Sequence, residues 1–205
     1  MTSEVLIAFF ATCLLLIATP GPDMLFVVSQ SITRGKKYGI AATIGQVGGL
    51  LFHLLLFAFG ISTLIMSSEI AYKGVKILGA CYLFWLSYNI YKAPSAIVIN
   101  EVGGKNTTFL GFMRQGLFMN ILNPKVMMFF LALFPGFISE TSGNISSQVL
   151  VLGAILIAQT LAIFISISII ASQLTDIIRN NNKIGLFLKW MQIVIFTGLG
   201  IFLLL

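Results

Sequence analysis

Six stretches of almost unbroken apolar residues, at about 5–28, 38–64, 71–91, 110–138, 147–171 and 184–205, alternate with short polar connections. Each has about the 20 residues that an α-helix needs to cross the roughly 30 Å hydrocarbon core of a bilayer. A membrane β-barrel would show segments of about ten residues in which apolar and polar positions alternate, and these stretches are continuous instead. Helices and closed barrels alone satisfy every backbone polar group in hydrocarbon. The pattern therefore predicts an all-α integral membrane protein of six transmembrane helices, with residues 1–205 as a single transmembrane domain. The first stretch has no basic leader and contains a broken motif, so 1–28 reads as a retained helix rather than a cleaved signal.

Two of the six stretches cannot be smooth helices. Thr19-Pro20-Gly21-Pro22-Asp23-Met24 interrupts the first and Leu122-Asn123-Pro124-Lys125-Val126-Met127 the fourth. Proline lacks an N–H, its ring clashes with the preceding turn, and the residue before it is pushed toward extended backbone. Helix breaks are thus expected at Pro20, Gly21 and Pro22, and again at Pro124. The Pro-Asp and Pro-Lys pairs lie 102 residues apart, half the chain. A weaker echo follows in the next helix of each half: Gln46, Gly49 and His53 share their spacing with Gln159, Ala162 and Ser166, which puts polar, small and polar groups on one helical face. The reading is a duplication, with repeat one at about 1–92, a connecting loop at about 93–108 and repeat two at about 109–205. Three spans per repeat is an odd number, so the second repeat is inverted relative to the first, the layout of secondary transporters with discontinuous helices.

Composition agrees with the lipid as solvent. Of 205 residues 58% are hydrophobic and 9% charged, with a mean hydropathy of +1.03, against about 25% charged in ordinary soluble domains. The net charge of +6 does not point to nucleic acid, because the basic residues sit in the connections. Arg34, Lys36, Lys37, Lys92, Lys105, Arg114, Arg179, Lys183 and Lys189 fall in or beside three connections on one side of a six-span layout. Lys73 and Lys76 mark the other side. The positive-inside tendency makes the first side cytoplasmic and places both termini outward. Cys13 and Cys81 have neither metal-site nor disulfide-framework spacing.

Asp23 and Lys125 are the candidate chemistry. A charge at depth in a bilayer costs about 2.5–3.5 kcal/mol on insertion scales, and something must offset that. Pro22 suits the first position of the half-helix after the break, whose positive end favours an anion. A zwitterion needs one negative and one positive partner close together in a poorly hydrated place. Asp23 for an ammonium, and Lys125 with Asn123 for a carboxylate, supply both. Asp23 also qualifies as a proton carrier, since proton and substrate competing for one carboxylate is the simplest route to antiport. Gln46, His53 and Gln159 are candidate cavity-lining groups, with His53 a proton-relay candidate. The competing structural reading is a permanent Asp23–Lys125 ion pair that locks the halves together. Counted along the apolar run, Asp23 lies nearer the cytoplasmic end than the middle. Gly45 and Gly49 form a GxxxG, a helix-packing signal, and the glycine-rich faces are compatible with a homodimer.

Ala18-Thr19-Pro20-Gly21-Pro22-Asp23-Met24-Leu25, Ser31-Ile32-Thr33-Arg34-Gly35 with Gly39, and Leu122-Asn123-Pro124-Lys125 through Phe129-Phe130 to Phe134-Pro135 together resemble the LysE/RhtB family of bacterial amino-acid exporters. The similarity covers essentially the whole chain. It implies efflux of amino acids or their derivatives across the bacterial cytoplasmic (inner) membrane, driven by proton antiport with alternating access. It implies no cofactor. Met24 stands where many relatives carry Asn, so the resemblance does not fix the substrate.

Enzymatic readings have little support: the sequence has no HExxH, GxSxG or P-loop and a single histidine. A transmembrane thiol-disulfide electron carrier would need cysteines at matching positions in the two halves, whereas Cys13 and Cys81 are both in the first. A divalent-metal exporter would need several carboxylates or thiolates among the spans, and Asp23 alone qualifies. The expected partners are a small amino acid or derivative, protons and the lipid bilayer, with no metal.

Overall fold

A computed structural model describes residues 1–58, 69–93, 107–139, 143–173 and 182–205. The far end of the second stretch, most of the loop at 94–106 with Lys105, and Arg179 lie outside the described residues. The elements of the described chain are all helical: α1 (Ser3–Ala18), α2 (Pro22–Arg34), α3 (Lys36–Leu56), α4 (Glu69–Lys92), α5 (Phe109–Ile121), α6 (Pro124–Met128), α7 (Ile145–Gln173) and α8 (Asn182–Leu204). α6 runs on through a π turn, Phe129–Leu133, and a 3-10 turn, Phe134–Phe137.

Each predicted break is present. After Ala18 the chain goes extended at Thr19 and again at Gly21, and Pro22 opens α2, so that α1 and α2 form one span bent by 54°. Pro20 and Gly21 prevent α1 from continuing, while Pro22 costs α2 nothing at a position whose N–H would be unpaired anyway. In the second half Asn123 is extended and caps α6 by accepting the Lys125 N–H at 3.0 Å, and α5 and α6 meet at 47°. α1 has 16 residues and α2 has 13. The break therefore sits near the middle of its span, with Asp23 just beyond it on the α2 side. Ser29, Gln30 and Ser31 ended the apolar run in the sequence, yet all three are buried and helical.

Three straight helices, Lys36–Leu56, Ile145–Gln173 and Leu186–Leu204, and the two bent pairs are long and apolar enough to cross a membrane. α4 has 24 residues, the length of a span at about 1.5 Å each. Large apolar side chains cover the outside: Ile7 is 69% exposed, Leu78 67% and Phe187 68%. That surface is a liability in water and a match to lipid. The protein is an all-α integral membrane protein.

α3 lies closest of all to α5. A side chain at Gly45 would strike the Met113 carbonyl, and one at Gly116 the Ala42 carbonyl, so the two backbones touch where glycine permits. This glycine face is consumed within the chain, which removes it as a support for a homodimer. α7 packs on α3, α2 and α1. Phe9, Phe57, Phe129, Phe130 and Phe134 form a buried aromatic cluster that ties α1 and α3 to the end of α6, with Phe57 and Phe134 edge to face at 4.9 Å.

α4 and α8 make a second group, packed chiefly on each other and reaching the rest at the π turn. Ser87 donates to the Ile193 carbonyl at 3.4 Å and Thr197 to Ser87 at 3.2 Å. At one end of this pair Lys92 lies over Tyr88, and Lys189 lies over Tyr91 and donates to the Ala93 carbonyl at 2.7 Å. Tyr91 also meets Trp190. Such a belt of amphipathic aromatics and cations suits a membrane–water interface.

The predicted echo between α3 and α7 is only partly present. Gln46, Gly49 and His53 share a buried face of α3 and Gln159 is buried on α7, but Ala162 and Ser166 are exposed. Ser166 bonds the Ala162 carbonyl in its own helix at 2.7 Å, which lets a serine face outward at little cost.

Candidate functional site

The two breaks meet in the interior and bring together the charges that follow them. Asp23, in the first turn of α2, is 6% exposed, and Lys125, in the first turn of α6, is 4% exposed. Lys125 Nζ donates to the Thr19 carbonyl at 2.8 Å. That carbonyl is at the C-terminus of α1, where the helix runs out of N–H donors of its own. A lysine of one half thus caps a helix of the other. The bond uses one of the three ammonium donors, and the Phe196 ring on α8 lies 5.8 Å away.

Asp23 is placed differently. Its Oδ1 has no hydrogen-bond partner. Its backbone carbonyl accepts from Gln46 Nε2 at 2.9 Å, so α3 fixes the start of α2 without touching the carboxylate. The two ionic heads are neighbours all the same. A β-carbon built on Gly21 would sit 2.7 Å from Asp23 Oδ1 and 3.3 Å from Lys125 Nζ, which puts the two atoms within about 6 Å of each other. What locks the halves at this point is the bond from Lys125 to Thr19 rather than a closed ion pair.

Asp23, Asn120, Lys125 and Thr160 share a cavity of about 30 Å³ walled by Leu50, Phe129 and other apolar side chains. At about 10–15 Å³ per water it has room for two or three. Asn120 Oδ1 and Asn123 Nδ2 are also buried without partners. A buried polar atom left unpaired costs about 1–3 kcal/mol, so their gathering around one lysine and one carboxylate marks a place built to hold something polar. A larger cavity, of about 310 Å³, borders Lys125 and Asn123 from the side of α4 and α8 and includes Pro20, Gly21 and Pro22 in its wall.

The other predicted residues fall outside these cavities. His53 stacks on Phe130 at 5.5 Å, with Nε2 3.3 Å from the Asn120 carbonyl, and lines a separate cavity of about 160 Å³. Gln159 donates to the Phe10 carbonyl at 3.0 Å and so braces α1, while its neighbour Thr160 takes the place at the cavity wall. Gln46 is a brace too. Sequence reasoning missed Thr160 and the Thr19 carbonyl. A threonine in a helix carries no positional signal, and a backbone carbonyl carries none at all. Cys13 is fully buried, Cys81 is exposed, and both are free. Among the described residues no three His, Cys, Asp or Glu side chains gather as a metal site would require.

Comparison with known proteins adds lineage to this geometry. The family described as LysE type translocator matches residues 14–205. Homoserine/homoserine lactone efflux proteins of Salmonella typhi and Salmonella typhimurium are 31% and 30% identical over 87% of this chain and 86% of theirs. An uncharacterized membrane protein of Vibrio cholerae is 28% identical over 89% of this chain and 88% of its own. No solved structure matches the chain. With an apolar helical build, two proline-broken spans that cross, and a match over nearly the whole length, the chain belongs to the LysE type translocator family and is a membrane efflux transporter.

Proposed function

We propose that the protein is a secondary transporter that exports amino acids or their close derivatives from the bacterial cytoplasm by proton antiport with alternating access. One observation carries the reading: a buried carboxylate with an unpartnered oxygen, Asp23, stands beside a buried ammonium with donors to spare, Lys125, at the crossing of two broken helices. Asp23 holds the α-ammonium of the substrate. Lys125, with the unpartnered amide of Asn123, holds the carboxyl end. Homoserine and its lactone share the α-amino group and differ at the carboxyl, which is why Asp23 is the common anchor and Lys125 the adaptable one. With the substrate gone, a proton takes its place on Asp23, because a bare carboxylate is costly at that depth. His53, which reaches the site through Asn120, is the second group able to carry a proton. The halves are inverted repeats that pivot at their breaks. The protein lies in the inner membrane with both termini outward, a reading supported by the basic connections and by Lys92 and Lys189 at one end of the α4–α8 pair.

The test is efflux from cells loaded with a labelled amino-acid panel that includes homoserine and its lactone. Wild type is expected to lower retention of at least one compound, a protonophore to abolish the effect, and Asp23→Asn to retain the label. Efflux of no amino acid or derivative overturns the export reading. Normal efflux by Asp23→Asn overturns the role given to Asp23 and leaves the family assignment untouched.

A further inference from the structure

We infer that the cavity between the broken helices and the α4–α8 pair receives the side chain of the exported amino acid, and that its wall selects a neutral side chain able to hydrogen-bond. This rests on the export reading and goes beyond it by naming the class of substrate and the residues that choose it.

The size of the space is the first argument. The cavity that contains Asp23 holds two or three waters, too little for a solute. The neighbouring chamber, at about 310 Å³, is within the range of about 300–1,000 Å³ usual for small-molecule sites. Lys125 borders both. Gly21 lines the chamber with both charges close against it, since a β-carbon there would meet Asp23 Oδ1 at 2.7 Å and Lys125 Nζ at 3.3 Å. A solute in the chamber meets Lys125 directly, and Gly21, with no side chain, stands between it and Asp23. Any larger residue at 21 would push against both charged groups.

The second argument is the chemistry of the wall. On the side of the breaks stand Lys125 and Asn123, the latter 2% exposed with an unpartnered Nδ2. These groups donate, and they suit the carboxyl end. On the opposite side α4 contributes Tyr82 and α8 contributes Gln192, both half-buried, with Phe196, Leu86 and Ile90 between them. A phenol and a primary amide can each donate and accept. Among the described residues the lining contains one charge, Lys125, and no carboxylate. A cationic side chain would find no carboxylate in the lining to pair with, and the charge it would meet there, Lys125, has its own sign. A purely apolar side chain would forgo the phenol of Tyr82 and the amide of Gln192, the polar groups this side of the wall offers. A short side chain ending in a hydroxyl or carbonyl oxygen satisfies every wall.

The experiment is competition against labelled homoserine in proteoliposomes by unlabelled homoserine, by 2-aminobutyrate, which has the same chain without the hydroxyl, and by lysine. Wild type is expected to prefer homoserine to 2-aminobutyrate by about tenfold or more, the worth of one or two net hydrogen bonds, and to ignore lysine. Tyr82→Phe and Gln192→Leu are expected to narrow that preference by about tenfold while competition by 2-aminobutyrate holds. Gln192→Glu supplies the missing carboxylate and is expected to make lysine a competitor, a gain that misfolding cannot produce. Unchanged selectivity in all three variants, as when a lipid chain fills the chamber, overturns the inference and leaves export intact. Effective competition by lysine in wild type overturns it too. Failure of the export reading looks different, since then no amino acid competes at all.

Discussion

The two breaks solve one problem in opposite ways. At the second, the charge and the cap are both engaged: Asn123 Oδ1 accepts the Lys125 N–H, and Lys125 reaches across to close the end of α1. At the first, Gly21 offers α2 no side-chain cap and Asp23 Oδ1 is left without a partner. The same insult to a helix, a proline beside a charge, has produced a strut in one half and a vacant acceptor in the other. A charge that braces the fold and a charge that is available to a solute should respond differently to substitution, and that difference can be measured.

The largest effect is expected from Lys125→Met. It removes the bond to Thr19, leaving a buried carbonyl unpaired at a cost of about 1–3 kcal/mol, and takes away the positive neighbour of Asp23. Both the thermal stability of the detergent-purified protein and efflux should fall steeply. Asp23→Asn should separate the two properties. Efflux is expected to drop by about a hundredfold or more, while the melting temperature changes much less than in Lys125→Met, because the amide keeps the shape and no hydrogen bond of Asp23 Oδ1 is lost. A large fall in melting temperature would show that Asp23 is a strut as well, and the contrast between the breaks would be gone. Gly21→Ala should leave the backbone in place, since residue 21 is extended (φ −135°), but its methyl group would displace the tips of Asp23 and Lys125, which it would meet at 2.7 and 3.3 Å. An increase in the KM for export of about tenfold, with little change in melting temperature, is the expected outcome. Asn123→Ala removes the cap of α6, a loss of about 1 kcal/mol, read as a fall of a few degrees in melting temperature with a smaller fall in efflux. His53→Gln should change least. It keeps a hydrogen bond to the Asn120 carbonyl available, so maximal efflux should persist and the pH profile alone should move.

The sequence already carried the breaks, because proline acts through its own ring and needs no tertiary context. It carried the helical membrane build as well, because hydropathy sums over 20 residues. What it hid depends on distance between elements. That Lys125 bonds the Thr19 carbonyl follows from how the two kinked spans cross, and no spacing encodes that crossing. Ser29-Gln30-Ser31 looked like the end of a span because polarity was read as exposure, whereas α3 and α7 cover that part of α2. The match between Gln46-Gly49-His53 and Gln159-Ala162-Ser166 had the right spacing and half the right face, since a serine that bonds within its own helix is as content toward lipid as toward a core. The chamber beside α4 was invisible for the same reason: Tyr82 and Gln192 are 110 positions apart.

Cys81 precedes Tyr82 on α4 and is exposed, while Cys13 is sealed inside the bundle. The molecule therefore presents a single addressable thiol, on the helix that forms the outer wall of the chamber. An apolar fluorescent or paramagnetic tag coupled there, in the native sequence with no cysteine removed, would report swings of the α4–α8 pair during turnover.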